Sequence, residues 1–169
     1  MSPIVLFSAA TIATRVERLA ADIAALSDPP QRLIAVLTGA FVFAADLSRA
    51  LARQGLDLPI DWLWLSSYSH ARSRGPLTLR AAPVAAVEGE HVLLIDGILD
   101  SGSTLAQAIA LLHQQGARKI TTAVVIDKQL AQATLQADHA CFCAVSGFIA
   151  GYGMDDAGLR RGCGDIVAL

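Results

Sequence analysis

A segment rich in carboxylates, hydroxyls and glycines follows one of the most apolar stretches of the chain. It reads VLLIDGILDSGSTL, from Val92 to Leu105, and leads directly into a helical pattern. The first N–H groups of a helix have no partners within it, and together with the helix dipole they bind anions. The alternative is an ordinary turn in which Asp100 or Ser101 is the helix N-cap. We predict a binding site for a phosphate monoester at Ser101, Gly102, Ser103 and Thr104.

The same segment matches most of a second phosphate-binding pattern. Gly97 to Thr104 reads G-x-x-x-x-G-S-T, which is the P-loop pattern except that Ser103 stands where the P-loop has lysine. That lysine supplies positive charge opposite the β- and γ-phosphates, and Asp100 would repel those phosphates. The pattern therefore disfavours a nucleoside triphosphatase.

Other charged residues that could take part in chemistry lie further along the chain. Lys128, one of two lysines in the sequence, ends an apolar stretch, and its alternative interpretation is a solvated strand end. The pairs Asp155-Asp156 and Arg160-Arg161 suit a hard cation and phosphates, and they are equally typical of a charged surface. We treat all of them as candidate site residues.

Strands and helices alternate along the chain, which predicts an α/β fold with a mostly parallel sheet flanked by helices. The predicted strands are Leu33–Leu37, Asp61–Leu65, His91–Ile95 and Ile120–Ile126, with weaker ones near Ala140–Val145 and Ile166–Leu169. The predicted helices are Ala9–Leu26, a segment through Phe43 that ends at Gly55, and Thr104–Gln115. Ligands of such sheets bind at the carboxyl ends of the strands. That edge would present Thr38, Ser67, the loop from Asp96 to Thr104, and Lys128.

Composition limits the class of protein. The 169 residues are 54% hydrophobic and 17% charged, with a net charge of −2, which excludes intrinsic disorder and disfavours polymeric nucleic acid as a partner. The sequence has no uninterrupted run of 18 apolar residues, and Met1–Ala13 lacks the basic start of a signal peptide. We expect one domain over residues 1–169, with a cytoplasmic location and no membrane partner.

The cysteines do not indicate a disulfide framework or a metal site. There are three of them, an odd number. His139, Cys141 and Cys143 could be mistaken for metal ligands, but a fourth partner at suitable spacing is missing. An alternating strand of small apolar residues explains these three positions better.

The phosphate-binding segment resembles the phosphoribosyl pyrophosphate motif of type I phosphoribosyltransferases. That motif is a strand, two acidic residues, two apolar residues and Asp-Thr-Gly-x-Thr, and Ser101 replaces its first threonine here. Four further stretches resemble the hypoxanthine-guanine phosphoribosyltransferases and cover nearly the whole chain in order. They are VLTGAFVFAADL (Val36–Leu47), SSY (Ser66–Tyr68), AVVIDK ending at Lys128, and GFIAGYGMDDAGLRR (Gly147–Arg161).

The resemblance implies a Mg²⁺-dependent transfer of ribose 5-phosphate from phosphoribosyl pyrophosphate to a 6-oxopurine, hypoxanthine or guanine, in purine salvage. Asp100 would be the catalytic carboxylate near N7 of the base, and Lys128 would donate to the exocyclic O6. Phe148 would stack on the purine and the backbone of Ile149 would bind its edge, although a phenylalanine is by default a core residue. The resemblance also implies a small hood built partly from the C-terminal segment, and a homodimer or homotetramer.

The resemblance assigns the phosphate end of the site as well. Thr38 and Gly39 would form the pyrophosphate loop, Arg161 would contact pyrophosphate, and Asp155 would bind Mg²⁺. Ser67 and Tyr68 would begin a loop that closes over the site and excludes water.

The chain departs from the family pattern at four positions. The family has two acidic residues that grip the ribose hydroxyls, whereas this chain has the shorter Asp96 and then Gly97. The pyrophosphate loop has Thr38 in place of lysine and Ala40 in place of a second glycine. We expect Gly97→Asp to lower the KM for phosphoribosyl pyrophosphate by restoring a ribose contact, unless a side chain does not fit there.

These departures leave a second hypothesis open. A regulatory protein that binds phosphoribosyl pyrophosphate or a nucleotide could keep the fold and lose turnover. Asp100 and Lys128 favour the enzyme, whereas Thr38 and Gly97 favour the regulator.

Overall fold

The computed structural model describes residues 3–67, 77–82 and 85–169. In these ranges three helices accompany the strands of two sheets. In chain order the elements are β1 (Ile4–Phe7), α1 (Ala9–Ala24), β2 (Arg32–Leu37), α2 (Phe41–Arg53), β3 (Ile60–Ser67), β4 (Leu77–Ala81), β5 (His91–Leu99), α3 (Ser103–Gln114), β6 (Lys119–Asp127), β7 (His139–Cys143), β8 (Ile149–Ala150) and β9 (Ile166–Ala168).

The main sheet has the strand order β4-β3-β2-β5-β6-β7, in which β4 alone runs antiparallel. One apolar cluster packs on the face covered by α1 and α2, and a second packs on the face covered by α3. β5 lies between them, which explains its continuous apolar run. The predicted mostly parallel sheet flanked by helices is confirmed. Among the described residues no helix is both long and apolar enough to cross a membrane.

Side chains alternate between the two faces of β3, which contains the predicted strand Asp61–Leu65. Leu63 and Leu65 are buried, while Trp62 and Trp64 are each 39% exposed on the opposite face. The strand continues through Ser67, beyond the predicted end, because Ser66 and Ser67 pair with β4.

A small hood sits at the carboxyl edge of the main sheet. It is an antiparallel sheet with the order β1-β9-β8, so it combines the start of the chain with its C-terminal segment. Tyr152 anchors it to α2, because the Tyr152 hydroxyl donates to Asp46 Oδ2 over 2.7 Å. Met154 and Ile166 pack into the core cluster beside α1 and α2. The predicted hood is therefore present.

The strand that leads into the phosphate-binding segment is longer than predicted. β5 runs to Leu99 rather than Ile95, because β6 continues to pair with it as far as Leu99 opposite Asp127. Asp96 and Gly97 therefore belong to the strand and not to the loop. The loop shrinks to three residues, from Asp100 to Gly102.

The start of α3 differs from the predicted alternative in which Asp100 or Ser101 is the helix N-cap. Gly102 is the N-cap, with a left-handed φ of +83°, and no side chain of the described residues forms a cap hydrogen bond there. The N-cap roles considered for Asp100 and Ser101 are therefore wrong. A glycine takes this backbone conformation at low cost, and a residue with a side chain would not.

Asp96 is buried where β5 approaches the carboxyl edge of the sheet. Its residue is 9% exposed, and Oδ1 accepts the N–H of the adjacent Gly97 over 2.7 Å. Burial raises the pKa of the Asp96 carboxyl from 3.8 to about 7, and the Gly97 hydrogen bond opposes that rise only in part. Ionising this carboxyl in the folded protein therefore costs stability.

We expect Asp96→Asn to stabilise the protein at high pH. A folded-state pKa above the unfolded value means that the wild type loses stability as the pH rises from about 4 to about 7, by on the order of 4 kcal/mol. The amide keeps an acceptor for the Gly97 N–H and cannot ionise. Urea unfolding should show the variant more stable than the wild type at pH 8 and equal to it at pH 4. The control Asp57→Asn, at an exposed position, should have the wild-type free energy of unfolding at both pH values. Equal pH slopes for wild type and variant would contradict the burial effect.

Candidate active site

The structure brings Asp100 and Lys128 together at the carboxyl ends of β5 and β6. The main chains are joined there, because the Lys128 N–H donates to the Leu99 carbonyl over 3.0 Å. Lys128 Nζ lies 4.0 Å from Asp100 Oδ2 and donates to the Gly147 carbonyl over 2.9 Å. Both side chains are only partly exposed, at 33% for Asp100 and 13% for Lys128. Lys128 is thus held in place by partners and is not a free strand end.

The segment between β5 and α3 concentrates hydroxyl groups at the helix start. The hydroxyls of Ser101 and Ser103 lie 3.1 Å apart, and the Ser103 N–H is directed at Ser101 Oγ over 3.4 Å. Thr104 follows in the first turn of α3 and is partly exposed. Apart from the contact between the Ser103 N–H and Ser101 Oγ, the described structure shows no side-chain cap at the start of α3, so the helix dipole and the other first N–H groups can meet an anion.

The loop between β6 and β7, which contains Thr134, contacts this segment, and the sequence analysis did not predict that contact. The Thr134 N–H and hydroxyl both point to the Ser101 carbonyl, over 3.0 and 3.2 Å. A Cβ on Gly102 would lie 2.9 Å from Thr134 Oγ1, so this glycine is required by space as well as by its backbone angle. Thr134 lies 33 residues beyond Ser101, and no local pattern marks such a contact.

Asp127 is a second residue that sequence reasoning missed. It is buried at the end of β6, where Oδ1 accepts the Gln129 N–H over 2.9 Å and Oδ2 accepts the Ala137 N–H over 3.2 Å. These bonds hold both ends of the loop that contains Thr134. Its signal in the sequence is an acidic residue at the end of an apolar strand, just before Lys128.

Thr38, Gly39 and Ala40 form a tight turn between β2 and α2. The Ala40 N–H donates to the Val36 carbonyl over 3.2 Å, and the Phe41 N–H donates to the Thr38 carbonyl over 3.3 Å. Thr38 is exposed, Gly39 is half-buried and Ala40 is fully buried, and the peptide bond between Leu37 and Thr38 is cis. Because β2 and β5 are parallel neighbours, the turn after β2 lies at the same edge of the sheet as Asp100 and Lys128.

The hood contributes an acidic and a basic side chain that are paired with each other. Arg161 Nη2 lies 2.7 Å from Asp155 Oδ1, and Arg161 Nη1 donates to the Gly153 carbonyl over 2.8 Å. Asp155 Oδ2 accepts the Gly158 N–H over 2.8 Å. Both side chains are partly exposed, at 28% and 35%. They form a fixed unit of opposite charges at the surface of the hood, not an unstructured charged run.

Phe148 and Ile149 follow the glycine whose carbonyl holds Lys128. Phe148 is 54% exposed, so it is not the core residue that its type suggests by default, while Ile149 is buried in β8. The Phe148 carbonyl accepts the Leu169 N–H over 3.1 Å, which fixes the backbone beneath the ring. Lys128 Nζ donates to the carbonyl of the residue that precedes Phe148. The exposed ring and this amine can therefore offer a flat base a stacking surface and a hydrogen-bond donor.

The remaining predicted residues lie apart from this group or outside the described chain. Ser67 is the last residue of β3, and Tyr68 lies outside the described residues. His139, Cys141 and Cys143 alternate along β7 at the edge of the main sheet. Over the described ranges no three acidic, histidine or cysteine side chains form a metal-binding group. Asp155, a single partly exposed carboxylate, fits a Mg²⁺ ion that keeps water and phosphate oxygens as its other ligands.

Comparison with known proteins gives a consistent result. A family model described as the phosphoribosyl transferase domain matches residues 6–157. The chain is 33% identical over 147 residues to the hypoxanthine-guanine phosphoribosyltransferase of Crithidia fasciculata, covering 85% of this chain and 71% of that protein. It is 32% identical over 156 residues to the enzyme of the same name from Bacillus subtilis, covering 90% of this chain and 85% of that protein.

A solved structure of similar fold is the hypoxanthine phosphoribosyltransferase of Trypanosoma cruzi in complex with the product IMP. Its TM-score to this chain is 0.86 at 29% sequence identity, covering 98% of this chain and 92% of that one. The match therefore includes the main sheet and the hood together. The chain belongs to the phosphoribosyl transferase domain family and, within it, to the hypoxanthine-guanine phosphoribosyltransferases.

Proposed function

We propose that this protein transfers ribose 5-phosphate from phosphoribosyl pyrophosphate to a 6-oxopurine, giving a purine nucleotide and pyrophosphate, in purine salvage. The observation that carries the proposal is the placement of Asp100 and Lys128, 4.0 Å apart, beside the start of α3. A carboxylate, an amine and an anion site are the groups that this reaction requires. In the reaction a C1′–N bond forms to the purine, the C1′–O bond to pyrophosphate breaks, and the purine loses a proton.

Asp100 and Lys128 act on the base in this proposal. Asp100 accepts the proton of the purine or stabilises the charge that develops at N7, for which a partly exposed carboxylate is suited. Lys128 Nζ already donates to the Gly147 carbonyl, and it retains further protons to donate to O6 of the base. The exposed ring of Phe148 stacks on the purine, and the backbone of Ile149 binds the purine edge.

The start of α3 binds the 5-phosphate of the ribose. Ser101 and Ser103 supply hydroxyls that lie 3.1 Å apart, and Gly102 supplies the left-handed backbone turn that starts the helix. Ser103 and Thr104 add N–H groups at the positive end of the helix dipole. Asp96 is buried, and a Cβ on Gly39 would lie 3.9 Å from its Oδ1, so we propose that it supports the ribose site from the side of the turn after β2. We propose from the family resemblance that Ser67 and Tyr68 begin a loop that closes over the site.

The opposite end of the site binds pyrophosphate. Thr38 and Gly39 present backbone N–H groups, and Arg161 neutralises charge as the pyrophosphate leaves. Asp155 would hold Mg²⁺, which supplies positive charge near the leaving group when bound. Because Asp155 and Arg161 are fixed to each other, both reach the pyrophosphate from one direction.

The cytoplasmic location and the homodimer or homotetramer are further proposals. The thiols of Cys141, Cys143 and Cys163 are unpaired, which agrees with a reducing compartment. Exposed apolar side chains on one face of β3, at Ile60, Trp62 and Trp64, offer a surface for a second copy of the chain.

Turnover separates the proposed enzyme from a regulatory protein of the same fold. Purified protein is mixed with phosphoribosyl pyrophosphate, Mg²⁺ and either hypoxanthine, guanine, xanthine or adenine, and nucleotide formation is followed by absorbance. We expect nucleotide from at least one 6-oxopurine, none from adenine, and no turnover after chelation of Mg²⁺. Binding of phosphoribosyl pyrophosphate without nucleotide formation from any base would favour the regulator instead.

Asp100→Asn is expected to lower kcat by about 10²-fold or more, because the amide cannot accept a proton. The dissociation constant for phosphoribosyl pyrophosphate should change little, since the amide retains hydrogen-bonding capacity in the loop. Steady-state kinetics with equilibrium binding measures both. Asp57→Asn, at an exposed position before β3, is the matched control and should leave kcat unchanged. An unchanged kcat in Asp100→Asn would remove this carboxylate from the mechanism.

Lys128→Ala is expected to raise the KM for the 6-oxopurine far more than the KM for phosphoribosyl pyrophosphate, because it removes the donor to O6. A lost hydrogen bond from a charged group corresponds to roughly 10-fold or more. The matched control is Lys119→Ala, the other lysine, which pairs with Asp28 at the amino end of β6 and should behave as the wild type. Equal increases in both KM values would place Lys128 outside the purine site.

A further inference from the structure

Position 97 in β5 faces the turn between β2 and α2 at very short range. A Cβ on Gly97 would lie 3.0 Å from the Gly39 oxygen, 3.2 Å from the Gly39 carbonyl carbon and 3.3 Å from Met154 Cγ. These distances are shorter than nine in ten contacts that real Cβ atoms make. The backbone of Gly97 does not have a left-handed φ, so a side chain here would be opposed by its neighbours and not by backbone strain.

A second glycine approaches the same carbonyl from the hood. A Cβ on Gly153 would lie 2.5 Å from the Gly39 oxygen, and Gly153 has a φ of +95°. Gly153 is also the residue to which Arg161 is fixed, because its N–H donates to the Arg161 carbonyl and its own carbonyl accepts Arg161 Nη1. The Gly39 carbonyl therefore lies between the main sheet and the loop that carries Asp155 and Arg161.

We propose that Gly97 is a positioning residue for pyrophosphate, an inference that rests on the proposed function. By lacking a side chain, it lets the Gly39 peptide sit against β5, and this contact sets the distance between the turn and the hood. Position 97 thus contributes to the site through packing and not through a contact to the ribose.

A side chain at position 97 would displace the turn and not the strand. Around position 97 β5 stays paired with β6, as far as Leu99, whereas its pairing with β2 ends at Ile95. Met154 is flexible and can yield, but the Gly39 carbonyl is backbone, in a turn held by the Ala40 and Phe41 N–H groups. The Gly39 peptide must therefore shift by a few tenths of an ångström. Such a shift moves the N–H groups proposed to meet pyrophosphate, and small misplacements in a preorganised site cost affinity and rate.

The test is Gly97→Ala, with Gly162→Ala as the matched control because a Cβ on Gly162 meets no atom within 4 Å. Calorimetry measures the dissociation constant of pyrophosphate with Mg²⁺, and steady-state kinetics measures KM for both substrates. In Gly97→Ala we expect the dissociation constant of pyrophosphate and the KM for phosphoribosyl pyrophosphate to rise about tenfold, with the KM for the purine within about twofold of the wild type. Gly162→Ala should match the wild type in all three.

A second substitution shows which neighbour responds. If the Gly39 peptide moves, adding Met154→Ala to Gly97→Ala leaves pyrophosphate affinity weak, whereas recovery of wild-type affinity overturns the proposal. A folded Gly97→Ala with unchanged pyrophosphate affinity, or with purine and pyrophosphate weakened equally, overturns it too. If Gly97→Ala does not fold in buffer, the same dissociation constants are measured with a stabilising osmolyte, which favours the compact state, and unchanged pyrophosphate affinity there overturns the proposal. Calorimetry measures pyrophosphate binding without turnover, so it tests the role of Gly97 by itself. Absence of nucleotide formation by the wild type would count against the proposed function alone.

Discussion

The Gly39 carbonyl packs against two glycines from distant parts of the chain, and the site depends on this contact. Gly97 brings it against the central strand, and Gly153 brings it against the hood. A Cβ at position 153 would lie 2.5 Å from this oxygen, and a Cβ at position 97 would lie 3.0 Å from it, so either side chain would force a shift. The carboxyl edge of the sheet, the turn after β2 and the loop with Asp155 and Arg161 are therefore held at fixed distances before any ligand binds, which is the preorganisation that catalysis of group transfer requires.

Charge at the site is balanced by internal partners. Lys128 donates to the Gly147 carbonyl and lies 4.0 Å from Asp100, while Arg161 pairs with Asp155. These contacts fix the charged side chains, and they also mean that a substrate with several negative charges meets cations that are partly neutralised. Backbone N–H groups at the start of α3, together with a divalent cation, are the natural remaining sources of positive potential. Burial raises the pKa of the Asp96 carboxyl to about 7, so below that pH this group adds little negative charge.

Much of the fold and part of the site can be predicted from the sequence, because they depend on local patterns. Apolar runs identify the strands, and the rule that ligands bind at strand carboxyl ends selects Asp100 and Lys128, which the structure brings together. The length of β5 is not predictable in this way, since β6 extends it by pairing. Thr134 and Gly153 were missed for the same reason: their contacts to Ser101 and Gly39 exist only after distant segments pack.

Gly97 shows most clearly how the structure changes an interpretation based on sequence. As a departure from the family motif, it suggests a missing ribose contact, which Gly97→Asp would restore. The packing around the Gly39 carbonyl predicts the opposite result, because a Cβ at position 97 would lie 3.0 Å from the Gly39 oxygen and displace the turn. The most direct test is therefore the KM for phosphoribosyl pyrophosphate in Gly97→Asp, measured together with the melting temperature. We predict a KM raised about tenfold or more, and a lower KM in an equally stable variant would contradict the packing role of Gly97.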